Sequence, residues 1–99
     1  MPNLDQDRAV HLAETFRLLG EPNRLRLICL CLDGPRGVDE LSGLLGLSQS
    51  LTSHHLRLLR AARLMRAERR GRHMLYQAAD EHVRCIVADM LEHVDEEED

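Results

Sequence analysis

The sequence predicts a mainly α-helical, α+β chain in which one β-hairpin interrupts a series of helices. Three observations carry this. Leu47 to Met65 reads LSQSLTSHHLRLLRAARLM, a run opened by Ser48, with Leu51, Leu56, Leu58 and Leu59 on its apolar side. Before it, Val38 to Leu45 reads as a short helix ended by Gly46, a natural residue just past a helix C-terminus. After it, Met65–Arg70 and His73–Ala78 flank Gly71-Arg72 as two short strand-like runs. Helix, glycine turn, capped helix and hairpin follow one another in the order of a winged helix-turn-helix.

Asp5 or Asp7 can cap a first helix to about Leu19, with Ala9, Leu12, Ala13, Phe16 and Leu19 at helical spacing. Gly20 breaks it. Glu21-Pro22 opens a second helix, because proline costs nothing where the N–H has no partner anyway. That helix should run through about Leu32 and, with Leu25, Leu27, Ile28 and Leu30, form the buried centre. Asp33-Gly34-Pro35 is a turn. The helix-turn-helix is expected at about 38–62 and the hairpin wing at about 64–78. The last helix, about 80–96, places Val83, Ile86, Val87, Met90, Leu91 and Val94 on one face.

Ninety-nine residues make one domain, 1–99, with a modest core. One Phe, one Tyr and no Trp leave that core to Leu, Ile, Val and Met, so a second copy would add useful burial. The chain has no apolar run near the ~18–20 residues that a membrane span needs, and no signal pattern at its N-terminus. A cytoplasmic protein is expected, and three cysteines argue against a disulfide framework.

The net charge of −4 hides a strong asymmetry. From Arg57 to Arg72 there are seven Arg and one acid, a net +6. From Asp80 to Asp99 there are nine acids and one Arg, a net −8. The basic block lies on the second helix of the pair and on the wing, where phosphate would be met. Gln49, Ser50, Ser53 and His54 fall in the first turns of the capped helix, where polar side chains can reach base edges in a major groove. Arg57 on that helix and Arg66, Arg69, Arg70 and Arg72 on the wing are expected to contact phosphate. An amphipathic helix with a merely solvated basic face would carry neither the glycine turn nor the wing.

These residues carry a resemblance. LSQSLTSHHLRLLRAARLM, RRGRHMLYQ and the spacing Asp80-x-His82…His93-x-x-Glu96 resemble the ArsR/SmtB family of metal-sensing repressors, over roughly Gly20 to Glu96. The resemblance implies a homodimer in which the N- and C-terminal helices make the interface. It implies release of operator DNA on metal binding, with Asp80, His82, His93 and Glu96 as ligands. It also implies a hydrogen bond from His93 to the backbone carbonyl of Arg63.

Helix geometry restricts how those ligands can meet. His82 and His93 are eleven residues apart, ~1100° of turn, so they share one stripe. The same eleven residues rise ~16 Å, whereas bonds to zinc are ~2.0–2.2 Å. One helix cannot bring both to one ion, but two antiparallel copies can. Two imidazoles and two carboxylates suit Zn²⁺ and also Co²⁺, with Ni²⁺ a further candidate. Glu97 or Asp95 remain alternatives to Glu96.

A second reading is a thiol or sulfur-species sensor using Cys29, which matches a reactive position in some relatives. The partner expected near Asp95 is absent, and Cys85 comes too early. Cys29 and Cys31 point ~200° apart on a helix and cannot pair while it stays helical. A branch that binds metal with cysteines at the start of the third helix is excluded, since Gly37-Val38-Asp39 stands there. An enzyme is not expected, because four ligands would saturate the ion and leave no open position. His55 and His73 read as structural.

Overall fold

The computed structural model describes residues 3–96. Helix α1 (Gln6–Leu19) is capped by Asp5, whose carboxylate accepts from the Arg8 N–H at 2.8 Å. Helix α2 (Pro22–Leu30) is capped by Glu21, which accepts from the Arg24 N–H at 3.0 Å. It closes at Cys31, short of the expected Leu32. There the N–H groups of Cys31 and Leu32 bond to Ile28 and Cys29 carbonyls in a tightened last turn. Two arginines stabilise this end. Arg36 donates to the Leu30 carbonyl and Arg84, from the far end of the chain, to the Leu32 carbonyl.

A two-residue strand β1 (Arg36–Gly37) leads into α3 (Val38–Leu45). Gly46 then takes φ 70°, the left-handed geometry that glycine adopts without strain. Helix α4 (Gln49–Ala61) begins at Ser48, whose hydroxyl accepts from the Leu51 N–H at 3.0 Å. Strands β2 (Met65–Arg70) and β3 (His73–Ala78) make the wing, and α5 (Glu81–Asp95) closes the described chain. The sheet has three strands in the order β1-β3-β2, all antiparallel, where a two-stranded hairpin was expected. Two residues are too few to show a period in sequence, and Arg36 and Gly37 become a strand only by pairing with Tyr76 and Leu75. Gly71 opens the two-residue wing turn at φ 62°, the position that a type II′ turn gives to glycine.

The core gathers Leu27, Ile28 and Cys31 of the α2 end, Leu41 and Leu45 of α3, and Leu56 and Leu59 of α4. Leu64, Met65 and Val87 complete it. Val87 is the one buried residue of α5, and none of α1 is buried. The two terminal helices therefore lie on the outside of this core.

The end of α4 is unusual. Arg63 sits at φ 60°, the one non-glycine residue with positive φ among the described residues. Its N–H donates to the Arg60 carbonyl at 2.9 Å, and Leu64 N–H donates to the Leu59 carbonyl at 2.9 Å. These two bonds form a Schellman cap, in which the left-handed position normally belongs to glycine. A left-handed residue bearing a Cβ costs ~1–2 kcal/mol, part of which glycine returns through a freer unfolded chain. Arg63→Gly should therefore raise stability by up to about 1 kcal/mol in urea unfolding. A lower midpoint at unchanged slope would contradict this.

Candidate functional site

Helix α4 turns one side to the core, but Leu51, expected on that side, is 41 % exposed near its N-terminus. Thr52, His55, Leu56 and Leu59 are buried against the core, and the Thr52 hydroxyl donates to the Ser48 carbonyl at 2.9 Å. Gln49, Ser50, His54 and Arg57 are exposed, and Ser53 is half-buried. Arg60 is exposed as well. At ~100° per residue it falls on the stripe of Gln49 and Ser53, so it belongs with the candidate DNA contacts. Arg57 and Arg60 both stand off the apolar side, as the sequence pattern predicts.

On the wing, Arg66 and Arg70 share one face of β2 with Glu68. Arg69 lies on the opposite face, across from Met74 near the tip, and Arg72 is in the turn. All four arginines are exposed. The structure thus spreads them around the hairpin rather than along one row. Arg70 Nε donates to Glu68 at 3.1 Å, an exposed ion pair of small worth. His73 is exposed opposite Arg70, so only His55 is structural as expected.

The candidate ligands occupy the two ends of α5. Asp80 is the N-cap, and its Oδ1 accepts from the Val83 N–H at 3.0 Å. His82 follows, 98 % exposed in its side chain, with Nδ1 3.8 Å from Asp80 Oδ1. These two groups are neighbours without a hydrogen bond between them. His93 is exposed in the last turn, and Glu96 lies just beyond the helix as its C-cap, donating its N–H to the His93 carbonyl at 3.2 Å. Asp95 is the last residue of the helix; Glu97 lies outside the described residues. Among the described residues, no three His, Cys, Asp or Glu side chains of one chain are close enough to hold an ion.

Between those ends runs an uncovered apolar groove of about 410 Å³. Phe16 and Leu19 of α1, Leu25 and Cys29 of α2, and Ile86, Met90, Leu91 and Val94 of α5 line it. Phe16 is 50 % exposed, Met90 54 % and Val94 72 %. Exposed apolar faces of this kind mark association surfaces.

The cysteines are poorly placed for thiolate chemistry. Burial pushes the Cys29 thiol up, and that of the fully buried Cys31 up to about 11. Cys85 is exposed, but its hydrogen bond to Glu81 at 3.5 Å also raises it. A protonated thiol is a weak nucleophile and a weak ligand.

Residues 21–66 match the family described as bacterial regulatory protein, arsR family. A transcriptional repressor SmtB homolog of Synechocystis is 37 % identical over 91 % of this chain and 68 % of its own length. The HTH-type transcriptional regulator NmtR of Mycobacterium tuberculosis is 34 % identical over 91 % of this chain and 75 % of its own. The solution structure of apo-NmtR superposes with a TM-score of 0.77 at 33 % identity, covering 94 % of this chain and 78 % of that one. A winged helix-turn-helix DNA-binding domain from Mycobacterium bovis superposes with a TM-score of 0.83 at 24 % identity, over 96 % and 91 % of the two chains. No helix among the described residues is long and apolar enough to cross a membrane. With the capped α4, its exposed polar stripe and the basic wing in place, the chain belongs to the ArsR/SmtB family of metal-sensing winged-helix transcriptional regulators.

Proposed function

We propose that this chain, acting as one unit, is a homodimeric repressor in the cytoplasm. It binds operator DNA without metal and releases it when Zn²⁺ fills two inter-subunit sites. The observation that carries this reading is the pair of exposed imidazoles at opposite ends of α5, on either side of an uncovered apolar groove. Among the described residues, neither His82 nor His93 has a complete ligand set within its own chain. Antiparallel packing of α5 against its copy covers the groove and brings Asp80 and His82 of each chain to His93 and Glu96 of the other, about a two-fold axis. Two nitrogens and two carboxylate oxygens fit zinc's tetrahedral preference.

A bound ion would cross-link the two subunits and favour one dimer geometry. The chain's own part is to orient the ligands. Asp80 is held by capping α5, and His93 is to be held through its second ring N–H by an acceptor. The family resemblance points to the Arg63 carbonyl, at the C-terminal cap of α4. Such a bond would tie ion occupancy to the spacing of the two DNA-reading helices. Gln49, Ser50, Ser53 and His54 are assigned to base or nearby backbone contacts, and Arg57, Arg60, Arg66, Arg69, Arg70 and Arg72 to phosphates. No catalytic role is assigned, in keeping with relatives that are transcriptional regulators. The raised thiols of Cys29, Cys31 and Cys85 leave the thiol-sensing alternative without support.

The test is a DNA titration with and without Zn²⁺, Co²⁺ and Ni²⁺ under reducing conditions. Zinc should weaken operator binding by about 5–150-fold, the usual span of allosteric coupling. By linkage, operator should weaken zinc binding by the same factor. Release by oxidants or sulfur species and none by metal would overturn the reading in favour of Cys29.

A further inference from the structure

Behind the exposed stripe of α4 lies a partly buried polar cluster that neither the metal nor the DNA reading uses. The His55 side chain is only 9 % exposed. Its Nδ1 is 3.3 Å from a terminal guanidinium nitrogen of Arg24 and 3.8 Å from Glu21 Oε2. Arg24 reaches the other way too, donating Nε–H to the Leu18 carbonyl at the end of α1, at 2.7 Å. Glu21 is fixed by capping α2 through the Arg24 N–H. One arginine thus joins the last turn of α1 to the middle of α4. His54, the neighbouring exposed residue, has its ring centroid 5.9 Å from that of His55.

Arginine can only donate hydrogen bonds, so the contact with His55 exists only while Nδ1 carries a lone pair. The ring must then be neutral, with its proton on Nε2. Protonation would place an N–H and a positive charge against the Arg24 cation. The charged and titratable groups acting on His55 are Glu21 and Arg24 from α2 and His54 from its own helix. Burial is the largest influence and keeps the ring neutral; Arg24 and His54 act the same way, while Glu21 opposes them.

We propose that Arg24 and His55 are positioning residues for DNA binding, their hydrogen bond setting α4 against the end of α1 so that acid, by breaking it, weakens the DNA complex. This rests on the DNA-binding reading but not on the metal site. Group and sign agree. A buried neutral histidine contributes stability that is present above its ordinary pKa and is lost as pH falls below it.

The probe is a short duplex selected by the parent protein from a random-sequence pool. Binding is measured by anisotropy at constant ionic strength between about pH 5.5 and pH 8, the range in which histidine titrates. The parent should lose several-fold more affinity at the acid end than His55→Gln, which keeps a neutral acceptor; about tenfold is the ceiling for one imidazole one unit below its ordinary pKa. Arg24→Met should bind weakly even at neutral pH and lose the extra acid sensitivity. Equal pH profiles for the parent and His55→Gln would overturn the proposal. Nitrogen-correlated NMR of the parent imidazoles does not depend on any variant folding, nor on finding a duplex. It should show His55 Nδ1 unprotonated at neutral pH, and a protonated Nδ1 there would sink the idea. A pool that yields no duplex counts against the DNA reading itself, and the NMR result then decides whether the Arg24–His55 link exists.

Discussion

Removing either imidazole of the α5 pair, by His82→Ala or His93→Ala, is expected to abolish the zinc response while leaving metal-free DNA binding nearly intact. The ligand helix and the basic surface are separate parts of the chain. The candidate ligands lie on α5 or cap its ends, and the arginines lie on α4 and the wing. Parent protein should bind one zinc per chain. Mixed dimers give the sharper result, because each site is expected to draw His82 from one chain and His93 from the other. Pairing a His82→Ala chain with a His93→Ala chain puts both defects in one site and leaves the other whole. Such a dimer should bind one zinc with parental affinity. Two equally weakened sites in it would show that each ion is held within one chain, and the ~16 Å rise argument would be wrong.

Raising salt from about 50 to about 200 mM should lower operator affinity by ~10³-fold or more, provided the dimer neutralises about six to ten phosphates. Arg57, Arg66, Arg69, Arg70 and Arg72 of each chain are all exposed, which is what motivates the estimate. Within that response the two classes of contact separate. Arg70→Ala should weaken binding to all sequences alike and flatten the salt slope by about one unit for each contact removed. Its ion pair with Glu68 is exposed and gives little resistance to exchange for a phosphate. Gln49→Ala should relax preference among operator variants and leave the slope alone. Identical behaviour of the two mutants across operators and salt would show that the division between reading and positioning is wrong.

Most of the fold was legible because it rests on local chemistry. Ser48, Asp5 and Glu21 cap their helices, Gly46 and Gly71 supply left-handed turns, and Leu56 and Leu59 mark the inner face of α4, although Leu51 is exposed. The stripe on α5 was legible for the same reason, since helical pitch converts the interval between His82 and His93 directly into geometry. Other features had no local signal. β1 is two residues long and exists only through β3. The end of α2 is set by Arg36 and by Arg84, which arrives 52 residues later in the chain. Arg63 takes a left-handed φ that its residue type opposes, because the turn into β2 requires it. Arg24 and His55, 31 residues apart, read as an ordinary helix arginine and a core histidine until packing brings them together. Periods, caps and turns are decided by neighbours a few residues away, and the sequence by itself determines them. Which arginine satisfies which carbonyl, and which histidine is buried, depends on partners distant in sequence, so only the tertiary structure decides it.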